Sequence, residues 1–183
     1  PLVARYTINQ NKNFVCSSYI SPAMKELADE IKSKNLTFLF ECGLDPGIDH
    51  IVTFKMLDDI RARGGKVKKL YSICGGLVAP ESVDNPLCYK FSWSPIGVFN
   101  AIGDATYDRD GKTVSIKRED LMYNAEPYHV NNSLNTVIYP NRDSLAYKKL
   151  YNVPEATEML RATMRYKGFS EIVAVFMEIG MLN

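Results

Sequence analysis

Positions 36–40, Leu-Thr-Phe-Leu-Phe, are almost wholly apolar and read as a buried strand. The pattern then switches to a four-residue period, with Ile48, Val52, Met56 and Ile60 on one side and Ile51 and Leu57 alongside. That spacing predicts a helix over residues 46–63 that buries this stripe, closed by Gly64-Gly65. Between strand and helix lies Glu-Cys-Gly-Leu-Asp-Pro-Gly-Ile-Asp-His, residues 41–50. Gly43 and Gly47 permit a sharp turn. Asp45 is pushed towards extended backbone by Pro46 and suits a helix N-cap. Upstream, residues 13–19 predict a short strand. Ser21-Pro22 is a cap-and-proline helix start, and Ile20, Met24, Leu27, Ala28 and Ile31 recur at helical spacing to Asn35. Residues 13–41 are therefore expected to be strand–helix–strand with a parallel pair, the closing part of a doubly wound sheet. The crevice at the carboxyl end of such strands is where ligands bind.

Residues 1–11 read as the end of a helix. Downstream, strands are predicted over residues 66–74, 89–93 and 133–139, with a last one over 162–167. Asp110-Gly111 predicts a hairpin between residues 105–108 and 113–117. Helices are predicted from Ser94-Pro95 to about 102, over 144–151, from Pro154 to about 160, and over 169–182. Residues 119–132 read as loop with short elements. This order of strands and a hairpin points away from a second parallel unit, to an α+β arrangement with a mixed sheet.

The chain has 183 residues and a formal net charge of +1, with acids and bases interspersed, so no basic stripe suggests nucleic acid. No apolar run approaches the roughly 20 residues of a membrane span. Cys16, Cys42, Cys74 and Cys88 form no C-x-x-C pair and read as free buried thiols. With only His50 and His129 as imidazoles, no metal site is expected. No targeting peptide is visible. The chain opens on Pro1 rather than Met and is expected to be part of a longer protein.

The string G-L-D-P-G-I-D-H, residues 43–50, resembles the signature of the saccharopine dehydrogenase (saccharopine reductase, L-glutamate-forming) family of lysine metabolism. Four further stretches resemble it in the family's order: SYISP at 18–22; CGGL at 74–77 with APE at 79–81; YKFSWSP at 89–95; and YPNRDS at 139–144. RYKG at 165–168 follows them. The resemblance implies an α/β fold. Residues 1–41 would be the C-terminal part of a Rossmann dinucleotide-binding domain. Residues 42–183 would be an α+β substrate and dimerisation domain with a mixed, mostly antiparallel sheet. It implies an oxidoreductase that uses NADP or NAD to oxidise saccharopine reversibly to L-glutamate and 2-aminoadipate 6-semialdehyde. The partners implied are a second copy of the chain and, in some parents, a fused lysine-ketoglutarate reductase; the location is cytoplasm or mitochondrial matrix. The G-x-G-x-x-G fingerprint is absent, and the resemblance puts it upstream of Pro1, so the chain alone is expected to be inactive. The alternative is a non-catalytic substrate-binding or dimerisation module of the same fold.

The resemblance also assigns roles. Arg142 and Arg165 would clamp substrate carboxylates, with Thr163 and Met164 beside them. Ser18 and Tyr19 would touch the substrate. Leu44, Asp45 and Pro46 would meet substrate and cofactor, with Asp45 the catalytic carboxylate, and Ser94 would contact the cofactor. Several have a plainer reading. Arg142 could pair with Asp143 at the surface. Met164 could be a core side chain, Tyr19 could merely pack, and Ser94 could be an N-cap. A helix N-terminus stabilises an ionised carboxylate, which makes Asp45 an orienting group before a strong base. His50 and Cys74 read as structural.

Overall fold

The computed structural model describes residues 1–182. Its contacts divide the chain into two units, Pro1–Asp59 and a second from Ile60 onward.

The first unit contains helix α1 (Leu2–Asn9), strand β1 (Phe14–Val15), helices α2 (Pro22–Lys25) and α3 (Ala28–Ser33), strand β2 (Phe38–Leu39) and most of helix α4 (Ile48–Ala62). β1 and β2 pair in parallel, Phe14 with Phe38 and Val15 with Leu39, so the expected strand–helix–strand unit is present. Its strands are two residues each, and the expected single helix is broken between α2 and α3. Ser21 starts α2 without a side-chain cap. Ala4, Ile8 and Leu27 form the buried cluster, with Met24, Ile31, Leu36 and Phe38 packed against it.

The periodicity correctly marks α4 as a helix but misjudges its burial. Ile48 is 53% exposed, Ile51 69%, Val52 50% and Met56 60%, while Leu57 is buried. Periodicity says which side of a helix is apolar, not what lies against it.

The second unit is built on a six-stranded mixed sheet. Its strands are β3 (Lys69–Cys74), β4 (Ala105–Arg109), β5 (Lys112–Ile116), β6 (Glu126–His129), β7 (Asn135–Pro140) and β8 (Glu158–Tyr166). The order is β5-β4-β8-β7-β6, with β3 paired to β8. The β3 pair is parallel and the others are antiparallel, as expected. β8 is the hub. β3 runs along one edge of it from Glu158 to Thr163. β4 meets β8 at Met159, and β7 pairs with it from Ala162 to Tyr166. Both registers overlap that of β3, so β4 and β7 share the opposite edge.

Helices α5 (Pro95–Asn100), α6 (Leu145–Leu150) and α7 (Phe169–Glu178) complete the unit. α7, with Phe169, Val173 and Ala174 buried, joins Leu160, Ala162, Ile138 and Tyr139 in one large core. Two sequence expectations fail here. Pro154 opens no helix; residues 154–157 are turn and bend, and β8 begins at Glu158, earlier than its apolar run suggested. Residues 89–93 are not a strand. Their alternation reflects Tyr89 and Phe91, which meet each other edge-on at 5.2 Å rather than joining a ladder.

Candidate functional site

The signature turn of the first unit is shaped by its glycines. The Gly43 amide donates to the Pro46 carbonyl at 3.0 Å, and the Ile48 amide returns to the Gly43 carbonyl at 2.9 Å. Gly47 has φ +145°, and a Cβ there would sit 2.3 Å from the Gly43 oxygen, so no other residue fits. Asp45 is not the cap of α4, which begins at Ile48. Its carboxylate instead accepts the Tyr19 hydroxyl at 2.6 Å. Two residues 26 positions apart are thus joined. Tyr19 is partly exposed and does more than pack. Ser18 sits one residue away, where its amide points at the Cys16 sulfur at 3.4 Å. That bond, helped by the Ser18 side chain, pulls the Cys16 thiol below its ordinary value. Leu44 is exposed and Pro46 buried. Cys42 is exposed, and Cys16, Cys74 and Cys88 are half-buried; they form no disulfide among the described residues and are not sealed in the core.

In the second unit, Thr163, Met164 and Arg165 lie on the hub strand. Alternation along a strand puts Arg161, Thr163 and Arg165 on one face and Met164 on the other. The Met164 side chain packs against the main core, leaving its backbone as what it can offer a ligand. Arg165 is only 6% exposed. Its guanidinium lies 4.8 Å from the centre of the Tyr89 ring and 5.2 Å from that of Phe169. One terminal nitrogen donates to the Met164 carbonyl at 2.8 Å, and Nε has no partner. No carboxylate pairs with it among the described residues.

Tyr139 stands opposite Thr163 in the ladder and stacks on Phe169 at 6.5 Å. Burial pushes its hydroxyl above the usual tyrosine value, against the opposite pull of Arg165. Tyr139 is therefore a neutral neighbour to the arginine.

Gly75 lies against this strand. A Cβ there would fall 2.1 Å from the Met164 oxygen, so the loop after β3 hugs β8 through bare backbone. One residue on, a Cβ at Gly76 would meet the Tyr89 hydroxyl at 3.7 Å.

Arg142 occupies a tightly fastened loop. The Asn141 amide donates to the Arg161 carbonyl at 2.8 Å, and the Thr106 amide to the Arg142 carbonyl at 2.9 Å. The Ser144 amide donates to the Thr106 carbonyl at 2.8 Å, and the buried Ser144 hydroxyl accepts from the Arg161 amide at 2.9 Å. Arg142 itself has φ +55°, a left-handed conformation uncommon for a side-chain-bearing residue. Its side chain is exposed. Asp143 does not pair with it; that carboxylate accepts the Leu145 amide at 2.8 Å. The fastening therefore holds a cation outward beside Arg161, whose guanidinium stacks on Tyr147 at 4.3 Å.

Ser94 accepts the Gly97 amide at 3.1 Å and caps α5. Among the described residues no hydrogen bond joins it to β8 or to the 141–144 loop. The sequence reading missed Tyr89, Tyr139 and Phe169, which surround Arg165. Each lies in or beside a quoted motif, but nothing local shows that they converge.

The family model described as the saccharopine dehydrogenase C-terminal domain matches residues 43–183. The chain belongs to the saccharopine dehydrogenase family. It is 48% identical over 184 residues to the saccharopine dehydrogenase [NADP(+), L-glutamate-forming] of Saccharomyces cerevisiae, covering all of this chain and 41% of that protein. Identity to the protein of the same name from Pyricularia oryzae is 46%, over 99% of this chain and 40% of that one. The mitochondrial alpha-aminoadipic semialdehyde synthase of Bos taurus is 41% identical over the whole chain, which spans 20% of its length. The solved apo saccharopine dehydrogenase (L-Glu forming) of Saccharomyces cerevisiae superposes with a TM-score of 0.86, covering 99% of this chain and 41% of that structure. The fold of this chain is therefore that of the matching part of a saccharopine dehydrogenase.

Proposed function

We propose that this chain is the substrate-binding part of a saccharopine dehydrogenase. The parent protein oxidises saccharopine reversibly to L-glutamate and 2-aminoadipate 6-semialdehyde. The observation that carries this reading is Arg165, a buried guanidinium with no carboxylate partner among the described residues. A buried cation is costly unless something pairs with it. A substrate with three carboxylates supplies that partner, and the outward Arg142 is available for a second. Thr163 and the Met164 backbone border the Arg165 clamp.

In the first unit, Tyr19 and Asp45 form a pair that suits the substrate amine: Tyr19 fixes the carboxylate, and the carboxylate holds or accepts the amine proton. Ser18 borders it. A nicotinamide cofactor fits this chain in part. Leu44 offers an exposed apolar side chain beside Asp45 and Pro46, and Ser94 offers a hydroxyl that can still donate. The glycine-rich phosphate cradle is not in these residues. When bound, the cofactor supplies the hydride acceptor. The names of the fungal relatives favour NADP over NAD. Residues 1–41 would close the dinucleotide-binding domain and 42–183 would bind substrate. The parent would be a homodimer, in some cases fused to a lysine-ketoglutarate reductase, in the cytoplasm or the mitochondrial matrix.

The test is reduced-nicotinamide absorbance in the full-length protein, with saccharopine and NADP or NAD, for the parent and its Arg165→Ala variant. Saccharopine-dependent reduction is expected, faster with NADP. The variant should lose at least about tenfold in kcat/KM, since a charge-assisted bond contributes roughly 1.5–3 kcal/mol. Full-length protein without such reduction would overturn the enzyme reading and leave the binding module.

A further inference from the structure

The Tyr89 ring is explained by packing. It lies under the Arg165 guanidinium at 4.8 Å and meets Phe169 at 5.6 Å and Phe91 at 5.2 Å, both edge-on. The hydroxyl is not explained. Tyr89 is 4% exposed, and its oxygen has no hydrogen-bond partner. Buried tyrosine hydroxyls ordinarily find one, and leaving a buried polar group unpaired is unfavourable. A phenylalanine would give the same ring without that cost.

The residue is also held in place. The Asn85 side chain donates to the Tyr89 carbonyl at 3.1 Å. Cys88, just before it, has φ +52°. Over the hydroxyl lies Gly76, exposed and without a side chain. Two donors without partners, the Tyr89 hydroxyl and the Arg165 Nε, thus belong to side chains in direct contact, beneath a wall of bare backbone.

We infer that Tyr89 is a further substrate-anchoring residue: its ring carries the Arg165 guanidinium, and its hydroxyl donates to the carboxylate that Arg165 takes. This rests on the reading of Arg165 as a carboxylate clamp. A carboxylate has two oxygens and accepts several hydrogen bonds, so it can satisfy a guanidinium and a phenol together. The phenol adds direction to a cation that would otherwise accept any anion.

The experiment compares full-length wild type, Tyr89→Phe and Arg165→Ala in saccharopine-dependent nicotinamide reduction, with thermal melting alongside. Tyr89→Phe keeps the ring and removes the unpartnered oxygen, so its melting temperature should hold or rise. The expected result is a KM for saccharopine raised about tenfold in Tyr89→Phe, with kcat changed less than about twofold, and a larger KM rise in Arg165→Ala. A purely structural Tyr89 would not move KM in a variant that melts normally. If Arg165→Ala raises KM and Tyr89→Phe does not, the clamp stands and the role of Tyr89 is overturned. If neither raises it, the clamp reading fails and takes the Tyr89 role with it.

Discussion

In the first unit, the candidate polar groups satisfy one another: Tyr19 gives its hydroxyl to Asp45, and Ser18 its amide to Cys16. In the second, Arg165 and Tyr89 are buried with donors unused. The surroundings differ as well. Among the described residues, a two-strand sheet and a small buried cluster of Ala4, Ile8 and Leu27 lie in the first unit, while a six-stranded sheet and a fifteen-residue core support the second pair. Holding unpaired donors away from water is unfavourable, and only a well-packed frame can sustain it. The thin unit presents groups already paired; the thick one presents buried donors left unused.

The sharpest way to break this contrast is Phe169→Ala. Phe169 is wholly buried and touches Tyr89, Tyr139 and Arg165. The substitution should cost about 3–5 kcal/mol in urea unfolding of the full-length protein. A loss below about 1 kcal/mol would mean that the frame around Arg165 is loose. Next is Gly75→Ala, which drives a methyl into the Met164 carbonyl. It should cost about 1–3 kcal/mol by the same measurement and weaken saccharopine binding, because β8 must shift.

Acid sharpens the contrast further. Glu158, nearly buried at the start of β8, pairs with Lys69 and accepts the Tyr71 hydroxyl. Those bonds, Lys69 first, hold its carboxyl below the ordinary 4.5. A carboxyl depressed in the folded state binds its proton more readily in the unfolded one. Its contribution is therefore complete above the ordinary value and is lost as the pH falls below it, through the lower folded value. Denaturation midpoints of the wild type should drop across that window. Glu158→Gln should show a shallower drop; an equal slope would remove Glu158 from the account. Tyr71, pushed up to about 12 by burial and then by Glu158, remains a donor throughout. The smallest effect is expected from Tyr19→Phe. Its bond to Asp45 is exposed, so stability should change by less than about 1 kcal/mol. A larger loss would show that the first unit leans on this pair structurally.

Sequence pattern located the parallel pair, the 110–111 hairpin, the Ser94 cap and the mixed sheet, because each depends on neighbours close in the chain or on a strong local period. It failed where distant packing decides. Pro154 looked like a helix start, yet the residues after it join β3 and extend β8. Residues 89–93 alternate like a strand, but among the described residues they join no ladder. Arg142 and Arg165 were singled out because they sit in motifs, which says where they lie in the chain and not what surrounds them. The aromatic ring around Arg165 was not, since Tyr89, Tyr139 and Phe169 come from separate elements and meet only through the fold.

The position of Arg165 on the hub strand has a consequence for how specificity can change. β8 is paired with β3 as far as Thr163 and with β7 from Ala162 to Tyr166, so the proposed clamp, held opposite Val137, is a fixed jaw. Arg142 rides on a loop of four residues fastened to Arg161 of β8 and Thr106 of β4 by three backbone hydrogen bonds, few enough to be re-tied with the loop at another length. Relatives that take a longer or shorter acid would be expected to keep the fixed jaw and move the other. Substrate length would then be set by the 141–144 loop, and headgroup chemistry by the strand.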